Sequence, residues 1–77
     1  MYILVFTGTD KDGLVSQDVY VTATQEEASR KMGNQVYDVH DSLVKHGDFV
    51  DGTIEPTRAK IIMANGGTLN WHLFYRR

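Results

Sequence analysis

Two segments near the start of the chain have the hydrophobic pattern of β-strands. Residues 2–7 form a run of β-branched and aromatic side chains. Residues 15–23 alternate between apolar and polar side chains, as a half-buried strand does. The turn-forming residues 10–13 lie between the two segments. The pattern therefore predicts an antiparallel hairpin at the start of the domain.

A long amphipathic helix is predicted next. Thr24 and Glu27 have the spacing of a capping box, in which each side chain accepts a hydrogen bond from the backbone amide of the other residue. Apolar residues then recur at steps of three and four, which places them on one side of a helix: Ala28, Met32, Val36, Val39 and Leu43. Gly47 is suited to the left-handed conformation that often ends a helix.

The C-terminal part of the chain predicts a second hairpin. Residues 59–64 and 69–75 have strand patterns, and the Asn-Gly-Gly sequence between them favours a tight turn. Residues 48–58 are harder to interpret, because Gly52 and Pro56 interrupt an otherwise partly apolar stretch. We expect a partly anchored loop there, and a short edge strand within it is the alternative.

These elements predict a single α+β domain over residues 1–77, with the order ββαββ. The simplest arrangement is a four-stranded antiparallel sheet with the one long helix packed on one face. The length agrees with this, because 77 residues suffice for one small domain with limited burial. The order of the strands within the sheet does not follow from the pattern.

Apolar residues also occupy positions that are expected to point away from the helix. Both sides of the first strand are apolar, and such residues recur on the later strands. The candidate interaction face consists of Tyr2, Leu4, Phe6, Tyr20, Ile62 and Phe74. Three interpretations follow: the loop at residues 48–58 covers this face, a homodimer forms sheet to sheet or edge to edge, or another protein or a nucleic acid docks there.

The leading interpretation is a small protein–protein interaction module that associates with itself through its sheet. Self-association adds burial to a domain that is short of it. On this hypothesis, lysine at Leu4 and Phe6 is expected to leave the chain folded but monomeric. Small acidic chains of this kind also occur as accessory proteins of phages and mobile elements, which bind host factors.

The alternative is a nucleic-acid-binding module. Stacking would come from sheet aromatics and phosphate contacts from flanking cations: Tyr2, Phe6, Tyr20, His72 and Phe74, with Arg58, Lys60, Arg76 and Arg77. The charge argues against it, because eight Lys and Arg against ten Asp and Glu give a net charge of −2. A basic stripe, which would supply the electrostatic part of the affinity, is not visible in the sequence.

Catalytic, metal-binding and cofactor-binding patterns are not found in the sequence. The chain has no cysteine, which removes thiol nucleophiles and cysteine zinc sites. His40 and His46 lie six positions apart on the predicted helix and point in different directions. The acidic turn at residues 10–13 lacks the later ligands of a calcium loop. We therefore predict a protein that is not an enzyme and needs no metal or cofactor.

The sequence also predicts a soluble, cytoplasmic protein without a membrane partner. A membrane-spanning helix needs roughly 20 consecutive apolar residues, and no stretch of the chain approaches that length. The apolar run at residues 2–6 lacks the preceding basic region of a signal peptide.

Overall fold

The computed structural model of the protein describes residues 1–13 and 15–77. This part of the chain forms five strands and one helix: β1 (Tyr2–Thr9), β2 (Val15–Thr22), α1 (Gln25–His46), β3 (Phe49–Glu55), β4 (Arg58–Met63) and β5 (Thr68–Tyr75). The strands make one antiparallel sheet in the order β2-β1-β5-β4-β3. The predicted α+β class, with one helix and an antiparallel sheet, is confirmed.

The sheet has five strands, and the prediction of four is wrong. The additional strand is β3, which pairs with β4 from Phe49 to Glu55. A shift in register between Phe49 and Asp51 absorbs the irregularity, and Gly52 is accommodated within the pairing. Pro56 lies in the turn between β3 and β4, where its missing amide hydrogen is not needed for the ladder. As an edge strand, this segment extends the sheet and does not fold over its open side.

The helix begins and ends as the sequence predicts. The Thr24 hydroxyl oxygen accepts a hydrogen bond from the Glu27 amide at 3.2 Å. At the other end Gly47 has a φ of 74°, and its amide donates to the carbonyl of Val44 at 3.1 Å. Acidic side chains in the first turn and basic ones in the last turn interact favourably with the helix dipole. These local signals fix the two ends of α1 without help from the sheet.

The core lies between α1 and one face of the sheet, which we call the helix-covered face. Two neighbouring strands contribute the pair Leu4 and Leu73 and the pair Phe6 and Trp71, in directly opposed positions. Among the described residues, the buried apolar set is Leu4, Ala28, Met32, Val36, Ala59, Ile61, Trp71 and Leu73. The indole nitrogen of Trp71 donates to the Gln35 side-chain oxygen at 3.1 Å, which satisfies its only polar side-chain atom.

Candidate interaction surface

The six residues of the predicted interaction face do not share one side of the sheet. Tyr2, Leu4 and Phe6 lie on the helix-covered face, and the register places Tyr20 directly opposite Leu4, on that same side. Leu4 has an exposed fraction of 0%. Of the six, Ile62 and Phe74 lie on the opposite side, which we call the open face. The prediction of a common face is therefore wrong for four of the six residues.

The reason for this error lies in strand β1. Both of its sides are apolar, so the sequence does not show which side the helix covers. In the structure the helix packs over the side that carries Leu4, while Ile3 and Val5 point to the open face. The alternation of β2 points to the wrong side, because its apolar residues Val19 and Val21 share the open face with Ile3 and Val5 and are more than half exposed. The expectation that β2 is a half-buried strand with its valines in the core is therefore wrong.

A contiguous apolar patch lies on the open face and crosses three neighbouring strands. Ile3 opposes Val21 on one side and Phe74 on the other, and Val5 opposes Val19. We define this apolar patch as Ile3, Val5, Val19, Val21 and Phe74. Its exposed fractions are high for apolar side chains: 55% for Val19, 61% for Val21 and 47% for Phe74. An exposed apolar group of this kind often marks an interaction site.

The patch borders a polar and cationic region on β4 and β5. Arg58 lies opposite His72, and Lys60 lies opposite Asn70. Arg58 donates a hydrogen bond to the Glu55 carboxylate at 2.8 Å. That hydrogen bond, together with the negative charge of Glu55, raises the pKa of Arg58.

His72 and Phe74 form an exposed aromatic stack on the open face. Their ring centroids are 4.5 Å apart and their planes differ by 16°. The structure thus brings these two rings together with Arg58 and Lys60, as the nucleic-acid alternative requires. It does not bring Tyr2, Phe6 and Tyr20 to them, since those rings lie on the helix-covered face. Arg76 pairs through its backbone with Met1, at the end of the apolar patch.

The two edges of the sheet differ in how well they are protected against pairing with a strand of another chain. The edge strand β3 carries an irregular register after Phe49 and contains Gly52, features that discourage pairing with another chain. The edge strand β2 pairs with β1 without interruption over all eight of its residues. It contains no lysine, arginine or proline, and Asp18 is its one charged residue. The less protected edge therefore adjoins the apolar patch.

A second, smaller surface feature is a groove of about 160 Å³ between α1 and β3. Its walls include Tyr37, His40 and Ile54, and the rings of His40 and Phe49 meet edge to face at 4.7 Å. The Nδ1 atom of His40 lies 3.2 Å from a carboxylate oxygen of Asp41. The lining is mainly apolar, so the groove suits a small apolar side chain better than a reacting polar group.

The described residues contain neither a cluster of metal ligands nor a helix that could span a membrane. Within residues 1–13 and 15–77, no three histidine or acidic side chains come together as a metal site. No helix in the same ranges combines the length and the apolarity that crossing a bilayer requires.

Comparison of the chain with protein-family models, curated proteins and solved structures gives no significant match.

Proposed function

We propose that the protein is a small protein–protein interaction module that associates with a second copy of itself through its sheet. The observation that carries this proposal is the apolar patch, which runs across three strands to the β2 edge, the less protected of the two. Association on that side would bury valine side chains that are more than half exposed in the single chain. A domain of this size gains proportionally more from such burial than a larger one.

Lysine at Val19 is expected to abolish this association. Val19 belongs both to the apolar patch and to the β2 edge, so it is central to sheet-to-sheet and to edge-to-edge contact. Loss of the valine contact and the approach of two ammonium groups should raise the dissociation constant about 100-fold or more. Molar mass by light scattering, from micromolar to millimolar protein, measures this directly.

The matched control is Val44→Lys. Val44 lies on the helix with an exposed fraction of 53%, close to the 55% of Val19. The variant makes the same chemical change on α1, outside both the apolar patch and β2, and should leave the dissociation constant unchanged. Circular dichroism should show that both variants are folded. A wild-type chain that stays monomeric at millimolar concentration would overturn the proposed self-association.

A second candidate function is the binding of single-stranded nucleic acid. It is favoured by the stack of His72 and Phe74 beside Arg58 and Lys60 on an open sheet face. The net charge of −2 opposes it, and the Glu55 carboxylate already occupies Arg58. We therefore rank it below self-association.

Fluorescence anisotropy of a labelled oligonucleotide at low salt tests this alternative. If it holds, binding should weaken as salt rises, and a Lys60→Ala variant should bind several-fold more weakly with a smaller salt dependence. Lys45→Ala, which removes an exposed lysine from the helix, is the control and should not change binding. The absence of binding at low salt would exclude this function.

The proposed role assigns no catalytic step and no cofactor to the protein. We place it in the cytoplasm, because its core consists of packed side chains without any cysteine and therefore does not depend on an oxidising compartment. Its partner is then a second copy of the chain or another protein, and the proposal includes no membrane.

A further inference from the structure

Strand β2 is the edge along which a second copy can extend the sheet. Its backbone is regular over eight residues, it contains no lysine, arginine or proline, and Asp18 is its one charged residue. The opposite edge, β3, is irregular after Phe49. If the protein associates through its sheet as proposed above, β2 is thus the edge that favours edge-to-edge pairing.

Symmetry restricts how two β2 strands can pair. Two antiparallel copies of one strand are related by a two-fold axis perpendicular to the sheet. Under that operation a residue at the centre opposes itself, and positions equally far from the centre oppose one another. Directly opposed side chains point to the same face. Both helices therefore lie on one side of the extended sheet, and both apolar patches lie on the other.

The two-fold axis can pass through one of two residues, each called a centre here, so that nearly all of β2 pairs with β2 of the second copy. A centre at Val19 pairs residues 16–22, seven on each strand, and a centre at Asp18 pairs residues 15–21, also seven. Every other centre pairs fewer residues within the strand. The Asp18 centre places two carboxylates directly opposite each other, which is destabilising. The Val19 centre avoids this contact and packs the two Val19 side chains together.

The Val19 centre also places Asp18 opposite Tyr20 of the second copy. In the single chain the Lys31 ammonium nitrogen lies 4.2 Å from the centroid of the Tyr20 ring. Directly opposed side chains have Cβ atoms about 5 Å apart, so the Asp18 carboxylate comes within reach of that ammonium group. Among the described residues, the ion pairs of the single chain involve neither Asp18 nor Lys31. The two side chains are complementary in charge and available to each other across the edge.

We propose that two copies pair edge to edge along β2, in the register centred on Val19, with Asp18 of each copy bound to Lys31 of the other. This rests on the self-association proposed above and specifies its geometry. The product is a ten-stranded antiparallel sheet with two symmetric ion pairs on its helix-covered side. Such charge pairs contribute chiefly to register and specificity, and the strand ladder contributes the contact area.

A charge swap measured by sedimentation equilibrium tests the proposal. Asp18→Lys alone and Lys31→Glu alone should each raise the dissociation constant about tenfold or more, because each creates two like-charge contacts. The combined variant, Asp18→Lys with Lys31→Glu, restores opposite charges and should return to within about threefold of wild type. Both positions are exposed, so the variants are expected to fold.

Three control variants separate pairing along β2 from a general effect of charge and from packing of the two open faces. Asp48→Lys and Lys45→Glu make the same changes in net charge away from β2 and should have little effect. Phe74→Lys lies two strands away from the edge, so edge pairing should tolerate it, whereas sheet-to-sheet packing would not. A dimer that is insensitive to Asp18→Lys but broken by Phe74→Lys would overturn the edge geometry and leave self-association standing.

Two further results would count against the proposal. Failure of the combined variant to recover would overturn the pairing of Asp18 with Lys31. A wild-type chain that is monomeric throughout would overturn the self-association itself, and the edge geometry with it.

Discussion

Lysine at Leu4 is expected to unfold the protein. The Leu4 side chain has an exposed fraction of 0% and lies beneath the helix, directly opposite Leu73 and Tyr20 on the two adjacent strands. A lysine there would bury an ammonium group without a partner, at an effective cost of several kcal/mol, in addition to the lost packing. A domain of this length has a free energy of unfolding of only about 4–12 kcal/mol. Circular dichroism and urea titration should show the loss of the cooperative transition.

The matched control is Val5→Lys. Val5 is the next residue of the same strand, but it points to the open face, where a lysine can extend its ammonium group into water. This variant should remain folded and unfold cooperatively. A native-like unfolding transition for the Leu4 variant would contradict the position of Leu4 in the core. The sequence-based expectation of a folded monomer on substitution of Leu4 and Phe6 assumed that these residues lie on the open face.

Alanine at Trp71 is expected to lower the free energy of unfolding by about 3–5 kcal/mol. Trp71 has an exposed fraction of 1% and is among the largest fully buried side chains. Its ring lies 5.0 Å from that of Phe6, and its indole nitrogen bonds to Gln35 on the helix. The substitution thus removes a large apolar volume and a link between helix and sheet. Urea titration followed by circular dichroism measures the change.

Two variants calibrate this result. Trp71→Phe keeps much of the apolar volume but loses the hydrogen bond to Gln35, so its effect should be clearly smaller than that of alanine. Phe74→Ala removes an aromatic side chain from the open face, where nearly half of it is exposed, and should cost about 1 kcal/mol or less in the monomer. A loss below about 1 kcal/mol for Trp71→Ala would mean that the core is not centred on this residue.

The helix and the first and last strands could be predicted from the sequence because their signals are local. Thr24, Glu27 and Gly47 act within one or two turns of the helix ends, and the apolar stripe of α1 follows from the helical repeat alone. The turns after Thr9 and before Thr68 likewise depend on residues next to each other in the chain. Helix ends and turns of this kind can be predicted without knowing which other parts of the chain pack against them.

Strand β3 could not be predicted because its formation depends on contacts with residues distant in the sequence, which outweigh its local conformational preferences. Gly52 and Pro56 disfavour a strand locally, yet β4 offers a neighbouring ladder and Phe49 packs against the core beneath α1. Tertiary context therefore outweighs local preference in this segment. Placing Pro56 in the turn leaves the ladder intact, an outcome that composition alone does not distinguish from an irregular loop.

The candidate surface was only partly predictable for a related reason. An excess of apolar residues over what one helix can cover was evident in the sequence, but the side of β1 that remains open was not. The choice depends on which pairs complete the core: Leu4 with Leu73, and Phe6 with Trp71. Ile3 and Val5 are half-buried on the open face as a result of that packing and not of their own chemistry.

The pairing of β1 with β5 brings residues 2–9 and 68–75 together near the middle of the sheet. The ammonium group of Met1 bonds to the carbonyl of Arg76 at 2.9 Å, across a separation of 75 residues. The β1–β2 hairpin and the β3–β4–β5 meander can each form from neighbouring segments. Neither encloses the core alone, because Leu4 lies on β1 and Trp71 lies on β5. Closing so long a loop costs entropy before any contact repays it. The rate-limiting step of folding is therefore expected to be the docking of β5 on β1, because the core is complete only when both strands are in place.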